Sequence, residues 1–213
     1  MSAVSPAPGS HGTAAASQAG ERPFGIDFID PLFAVAIHVG MVEGIMHETW
    51  FKEWRVPDRQ ELFYVATFLL GFSTLLLSWL GYHQSIKTKP LKGLARFVLD
   101  VVLVLAYAVM LVKFRNVGAT LFLLAIAYFL FILWDLAKTR EYADQMRWGR
   151  RELVTVGWCV VFWALWISYV TKLVPAGVCV FLAFVFTILY RVNKEKSLWG
   201  DLGKSIRRAL IGN

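Results

Sequence analysis

Ionisable side chains within long apolar stretches are the residues of this sequence with the clearest potential for chemistry. Seven residues fit this description: Asp27, Asp30, His38, Glu43, His83, Asp100 and Asp135. An ionisable group inside a lipid bilayer is costly unless it is paired or hydrated, so each one indicates a functional or a structural polar contact. Four of the seven, Asp135 among them, fall near the ends of their stretches, where water can reach them. Asp30, His38 and Asp100 are therefore the strongest candidates.

His38 lies near the centre of the first apolar stretch, between Ile37 and Val39. A histidine at that depth must face protein or water, and its neutral ring can both donate and accept a hydrogen bond. Two interpretations follow, an interhelical hydrogen bond or a place in the lining of a pore or cavity. The residue type leaves both open.

Asp30 and Asp100 occupy matching positions, each about one turn inside an apolar stretch. Trp79 and His83 stand near the end of another stretch, at the same predicted depth, and their ring N–H groups are suitable donors. We therefore predict a network of Asp30, Trp79, His83 and Asp100. Its simplest interpretation is structural, a set of hydrogen bonds that joins neighbouring helices.

Sequence motifs of enzymes are missing from the chain. There is no HExxH, no GxSxG and no glycine-rich phosphate loop. Cys159 and Cys179 lie in apolar runs without a CxxC pattern, and Lys172 is at a span boundary, not at the depth that a retinal Schiff base needs. We predict no enzyme activity, no catalytic residue, no cofactor and no metal site. Lys and Arg sit in short connectors, a membrane-topology pattern, so no nucleic-acid partner is expected.

Six membrane-spanning helices are predicted to position the polar residues. Hydrophobic residues make up 57% of the 213 residues, charged residues only 17%, and the mean hydropathy is +0.55. A soluble domain averages about 25% charged residues, so this chain needs an apolar solvent. Windows of about 20 apolar residues give these spans: Ile26–Met46, Leu62–Tyr82, Phe97–Val112, Gly118–Leu136, Leu153–Thr171 and Leu173–Tyr190. The predicted fold class is an all-α membrane protein.

Composition divides the chain into three parts. Residues 1–22 are rich in Ala, Ser, Gly and Pro and predict a disordered tail. Residues 23–192 form the six-helix transmembrane domain. Residues 193–213 predict a basic amphipathic tail, which can lie in the membrane interface with its cations towards anionic lipid or serve as a cytosolic anchor.

Positive charge predicts the orientation of the spans. Of the 22 Lys and Arg residues, 16 lie in the two tails and in the connectors on their side, so both termini are predicted to be cytoplasmic.

The third span is short and must extend through Arg96 and Lys113, whose long side chains can reach the headgroups. The fifth and sixth spans nearly touch around Lys172, with Pro175 in the first turn of the sixth, and predict a tight hairpin.

Two motifs in the first spans have a counterpart in a known family. The first span reads FIDPLFAVAIHV from Phe28 to Val39, and the second ends in WLGYHQSI from Trp79 to Ile86. The chain resembles the potassium-channel family called transmembrane protein 175, found in lysosomes and bacteria, whose first helix carries a signature like F-S-D-G-V-F-A-I-A-x-T-L. That family's second helix ends in a pattern like W-L-N-H-H-R-L-F, and a polar residue early in its third helix is matched by Asp100.

The resemblance implies a pore formed by the first helices of a tetramer or pseudotetramer. The family's apolar constriction falls on Val35, and His38 and Val42 follow one and two turns further outward, on one face by helical spacing. Glu43 would stand at the outer mouth. The network of Asp30 with its neighbours would brace the pore helix, and the protein would reside in a membrane, which we expect to be the bacterial inner membrane.

Departures from the family pattern bear on the permeant ion. Ile29 replaces the signature Ser, Pro31 replaces its Gly and removes a backbone donor, and Phe24 stands where an Arg is usual. His38 replaces a Thr or Ser that contributes to ion selection. Four pore-facing imidazoles would repel K⁺ when protonated and could pass protons or sense pH. We therefore predict a cation channel for K⁺ or protons.

Three functions remain open at this point. The leading hypothesis is a homotetrameric cation channel in the lipid bilayer, with Val35 and Val42 as apolar gates around His38. The alternative is a non-conducting oligomeric sensor or scaffold that recruits a cytosolic protein partner through the basic connector at 138–151 and the C-terminal tail. A small transporter or membrane enzyme is the third, and it requires His38 and Asp30 to converge on a closed cavity.

Overall fold

The structure, a computed structural model, describes residues 26–46, 48–53, 56–143 and 149–194. Its elements are α1 (Ile26–Val39), a π-helical segment (Gly40–Met46, the π segment), α2 (Thr49–Lys52), α3 (Arg59–Thr88), α4 (Leu94–Val112), α5 (Val117–Glu141), α6 (Arg150–Val170) and α7 (Ala176–Lys194). Six of the helical stretches, with α1 and the π segment counted as one, are long and apolar enough to cross a membrane. The prediction of an all-helical fold with six such stretches is confirmed.

Local interactions determine where the helices begin and end. α3 begins three residues before its apolar window because the Asp58 side chain accepts hydrogen bonds from the backbone N–H groups of Gln60 and Glu61, both at 2.8 Å. The Glu61 carboxylate accepts from the Asp58 N–H at 2.8 Å and completes a capping box. Between α6 and α7 the chain turns at Lys172, whose φ of 57° ends the helix.

The helices pack as a bundle in which α5 is central. α5 contacts α4 and α6 along its length and also meets α3 and α7, and its residues Leu124, Ala125 and Ala127 are fully buried. α1 and the π segment lie at the edge and pack mainly against α4. The first span therefore keeps much of its surface outside the bundle.

The two ends of the bundle have different polar residues. We call the end at which α3, α5 and α7 finish and α4 and α6 begin the basic end; Arg96, Lys138 and Lys194 lie there. The tail 1–22 and most of 193–213 fall outside the described residues, as do residues 144–148 of the basic connector. α7 extends to Lys194, two residues past the predicted boundary of the transmembrane domain.

Candidate functional site

Two glycines seat the first span on α4. A Cβ at Gly40 would lie 2.6 Å from Leu111 Cδ1 and 2.8 Å from Leu111 Cβ. One at Gly44 would lie 3.2 Å from the Leu111 carbonyl oxygen of α4 and 3.1 Å from Phe68 Cε2 of α3. Glycines four residues apart let helix backbones approach closely within a membrane. The Gly-x-x-x-Gly spacing is visible in the sequence, and it is the signal that could have identified this contact.

Asp30 binds two side chains of α3. Its Oδ1 accepts a hydrogen bond from Trp79 Nε1 at 3.1 Å and lies 2.8 Å from His83 Nε2. The two rings sit edge to face, 4.8 Å apart. The structure therefore brings together three of the four residues of the predicted network, and this contact joins the beginning of α1 to the end of α3.

Asp100 makes a different contact. Its Oδ1 accepts from Trp134 Nε1 of α5 at 2.8 Å, and the residue is only 5% exposed. Asp100 thus joins α4 to α5, while Asp30 joins α1 to α3. Equal depth in the membrane was the basis for predicting one network, but the two carboxylates use different indole donors.

The predicted pore residues differ in their exposure. Val35 is 56% exposed, His38 and Glu43 are exposed, and Val42 is half-buried. The spacing that placed Val35, His38 and Val42 on one face assumes a continuous α-helix. From Gly40 onward the hydrogen bonds join residues i and i+5, so this assumption fails before Val42 is reached.

A second polar site, absent from the sequence prediction, lies inside the bundle. It is a partly enclosed cavity of about 220 Å³. Its lining includes these polar residues of five helices: Ser78, Tyr82, Gln84, Ser85, Asp100, Tyr107, Trp134, Asp135, Lys138, Glu152, Tyr190, Arg191 and Lys194. Asp30 and His38 are not among the residues that line it, so this cavity is not the one that the third hypothesis requires.

Two long side chains from the end of α7 extend into this cavity. Arg191 donates to Ser78 Oγ at 2.8 Å, and Ser78 Oγ lies 2.6 Å from the Tyr107 hydroxyl. Lys194 donates to Asp135 Oδ2 at 2.8 Å and to Thr155 Oγ1 at 3.0 Å. Both cations lie at the end of α7 but extend into the bundle. Their position in the sequence did not indicate that the interior would be charged.

Asp135 is buried in the bundle, which its position in the sequence did not indicate. The sequence places it near the end of a span, where water access is expected, but the structure leaves it 7% exposed. Its Oδ2 also accepts from Thr155 Oγ1 at 2.9 Å. The three helices α5, α6 and α7 meet at this carboxylate.

Arg96 does not reach the headgroups as predicted. Its side chain is fully buried, donates to Glu141 Oε2 at 2.8 Å, and lies over the Trp134 ring with its guanidinium carbon 4.7 Å from the centroid. A planar guanidinium can satisfy a carboxylate and stack on an aromatic ring at the same time. The prediction was wrong because a neighbouring helix supplies both partners inside the bundle.

An ion pair also closes the other end of the bundle. Arg115, between α4 and α5, donates to both carboxylate oxygens of Glu48, its Nε at 2.9 Å from Oε1. These hydrogen bonds raise the pKa of the Arg115 guanidinium above its usual value. Glu48 is 4% exposed, so the pair anchors the segment after the π segment to the α4–α5 turn.

The chain has no metal cluster in the part that the structure describes, where no three His, Cys, Asp or Glu side chains come together as ligands. Comparison with protein-family models, with curated proteins and with solved structures finds no match. Two polar regions of the protein are candidates for its function, the outward face of the first span and the cavity within the bundle.

Proposed function

We propose that the chain is one protomer of a homotetrameric cation channel in which the first span lines the pore. Both termini are placed in the cytoplasm, on the strength of the Lys and Arg distribution. The permeant ion is K⁺ or the proton, and the membrane is the bacterial inner membrane. The motif resemblance of the first three spans supports this assignment.

The observation that carries the proposal is the exposure of His38. It lies close to the middle of a span that runs from Phe28 to Met46, on the outside of the protomer. An imidazole that faced lipid at this depth would lack hydrogen-bond partners, which is costly in hydrocarbon. A second copy of the chain or an aqueous path must therefore cover this face.

The neighbours of His38 fit a pore-lining helix. Val35 projects from the same outward face and supplies an apolar constriction, and Glu43 is exposed further along the span, where it can attract cations to the mouth. The hydrogen bonds of Asp30 with Trp79 and His83 hold the other end of the helix against α3. The apolar gate of the proposed pore is therefore Val35, because Val42 is half-buried and lies beyond the change of helix type at Gly40.

Ion flux through the purified full-length chain in liposomes tests the proposal. The wild-type protein is expected to dissipate a K⁺ or proton gradient. Val35→Asn should increase flux because it removes the apolar constriction, and His38→Thr should change the ratio of K⁺ flux to proton flux. Val160→Asn is the matched control, since Val160 is 64% exposed on α6 and should leave flux at the wild-type level.

Disulfide trapping reports which face meets the symmetry axis. Val35→Cys is expected to form cross-linked dimers under mild oxidation, while Val160→Cys stays monomeric. The native Cys159 and Cys179 are buried and should not interfere. Cross-links at Val35 without flux in any variant would favour the non-conducting scaffold. Equal cross-linking at both positions together with unchanged flux would contradict the channel.

A further inference from the structure

The cavity within the bundle presents charges of both signs in layers. On α3, Ser78, Tyr82 and Ser85 share one face at spacings of four and three residues. Arg191 donates to Ser78 Oγ, and Lys138 donates to Ser85 Oγ at 2.7 Å. Ser78 and Ser85 are about 10 Å apart along the helix axis, so one cation lies deep in the cavity and the other near the basic end.

Carboxylates occupy the layer between these two cations. Asp100 lines the cavity together with Tyr82, and Asp135 accepts a hydrogen bond from Lys194 at 2.8 Å. Glu152 is oriented differently, because its carboxylate caps its own helix by accepting from the Gly149 N–H at 2.9 Å. Of the three carboxylates in the lining, Asp100 is therefore the one whose contact is to a neutral indole.

Two buried polar atoms of this middle layer have no hydrogen-bond partner among the described residues. They are Asp100 Oδ2 and the Tyr82 hydroxyl oxygen. Asp100 is 5% exposed and Tyr82 is 7% exposed, and both residues line the cavity. A buried carboxylate oxygen without a donor is rare in folded proteins, because the group loses its hydration without compensation. Neither oxygen has accessible surface in the structure, so a ligand with an N–H donor would satisfy both atoms after the two side chains turn towards the cavity that they line.

The size of the cavity limits the ligand. At about 30 Å³ for each water molecule, the volume of about 220 Å³ holds about seven waters or an organic molecule with a similar number of heavy atoms. A simple anion would face Asp100 and Asp135, and a simple cation would face Arg191 and Lys138. A molecule with both charges matches the two signs of the lining.

We propose that the cavity binds a small zwitterion that carries a primary ammonium and a carboxylate. The ammonium donates to Asp100 Oδ2 and to the Tyr82 hydroxyl oxygen. The carboxylate accepts from Arg191 beside Ser78, about 6 Å further along α3. This site lies inside each protomer and does not depend on whether the first span lines a pore.

Equilibrium dialysis of the purified full-length chain in detergent tests the site with defined probes. The zwitterions are glycine, β-alanine, γ-aminobutyrate and δ-aminovalerate, which differ in the separation of their charges. Butylammonium and butyrate carry one charge each on a chain of similar size. At least one zwitterion is expected to bind saturably, about tenfold or more tightly than either single-charge compound, because each charge-assisted hydrogen bond contributes at that level.

Two conservative variants assign the contacts. Asp100→Asn keeps an acceptor for Trp134 but replaces the charged oxygen, and it should weaken binding of the best zwitterion about tenfold or more. Tyr82→Phe should weaken it about threefold and should leave the thermal midpoint of the ligand-free protein unchanged, because its hydroxyl has no described partner. Glu53→Gln removes an exposed carboxylate outside the cavity and should bind as wild type.

The binding measurements distinguish a zwitterion site from a cation site, an anion site and a water-filled cavity. Saturable zwitterion binding that is lost in Asp100→Asn and kept in Glu53→Gln supports the proposal. Equal binding of butylammonium and the zwitterions would show a cation site and overturn it, and binding of butyrate alone would show an anion site with the same consequence. Absence of saturable binding for all four zwitterions would also overturn it and would indicate a cavity filled with water.

Discussion

The first span and the interior of the other five long helices handle polar groups in opposite ways. The first span packs on α4 through Gly40 and Gly44 and turns His38 outward. In the interior, Arg96 and Arg191 turn inward from the helix ends and find partners on other helices. One region therefore needs something outside the protomer to satisfy it, while the other pairs these two cations with groups of its own helices.

This difference shows that distance from a helix end is an incomplete guide to the environment of a charge. His38, in the middle of a span, is exposed, whereas Arg96, in the first turn of α4, is fully buried. A long flexible side chain can direct its charge about one helical turn away from its Cα. Which way it points depends on the partners that neighbouring helices provide.

The largest expected effect is the loss of the buried Arg96 pair. Arg96→Ala leaves the Glu141 carboxylate, 12% exposed, without its partner and removes the stack on Trp134. We expect a loss of about 3 kcal/mol in the free energy of unfolding, because a buried charge without its partner is strongly destabilising. Denaturant titration of the detergent-solubilised chain measures this change.

Arg140→Ala is the matched control for Arg96. Arg140 is exposed on α5 at the same end of the bundle, and its removal should change the free energy of unfolding by no more than about 0.5 kcal/mol. If the two variants lost equal stability, Arg96 would be facing the headgroups as the sequence suggested, and the contrast between the two regions would fail.

The junction between the two regions is expected to give the next largest effect. Gly40→Ala would push a methyl group against Leu111, which is fully buried and packed between helices. Overpacking of this kind costs about 2 kcal/mol, and here it would separate the first span from α4. Thermal unfolding of the purified variant measures the loss.

Gly157→Ala tests whether the Gly40 effect comes from contact or from the residue type. Apart from its own chain neighbours and the adjacent backbone of α6, no described atom lies within 4 Å of a Cβ added at Gly157. Alanine is a better helix former than glycine by about 1 kcal/mol, so this variant should be neutral or more stable. A similar loss at both glycines would show that the close approach of Gly40 and Leu111 is not what holds the first span.

Counting residues along the chain predicts well where the helices lie and which of their residues are level with one another. It predicts poorly how each helix is rotated about its own axis. The six spans follow from length and hydropathy, and the contact of Asp30 with Trp79 and His83 follows from matching their depths. Asp100 lies on α4 as expected, but its side chain meets Trp134 of α5 instead of the Asp30 contacts. Rotation about a helix axis depends on how all the neighbouring helices pack, which a single sequence does not specify.

The π segment illustrates a second limit. The spacing of Val35, His38 and Val42 predicts a shared face only if the α-helix continues, and the change at Gly40 breaks that assumption. Nothing in the hydrophobic pattern of the span distinguishes an i→i+4 from an i→i+5 ladder. Glycine at positions 40 and 44 marked a close approach to a neighbouring helix, but it did not specify which ladder would form.

The smallest expected effect distinguishes the observed contacts of Asp30 from the predicted four-residue network. A double-mutant cycle with Asp30→Ala and His83→Ala should give a coupling energy of about 1 kcal/mol. Hydrogen bonds to a charged group contribute about 1.5 to 3 kcal/mol, and the value is lower here because the Asp30 side chain is 37% exposed to solvent. A second cycle, Asp30→Ala with Asp100→Asn, should give a coupling near zero, since the two carboxylates bind different donors. A larger coupling between the two aspartates than between Asp30 and His83 would mean that one network links the first span to the interior, and the two regions would then respond to a ligand or an ion together.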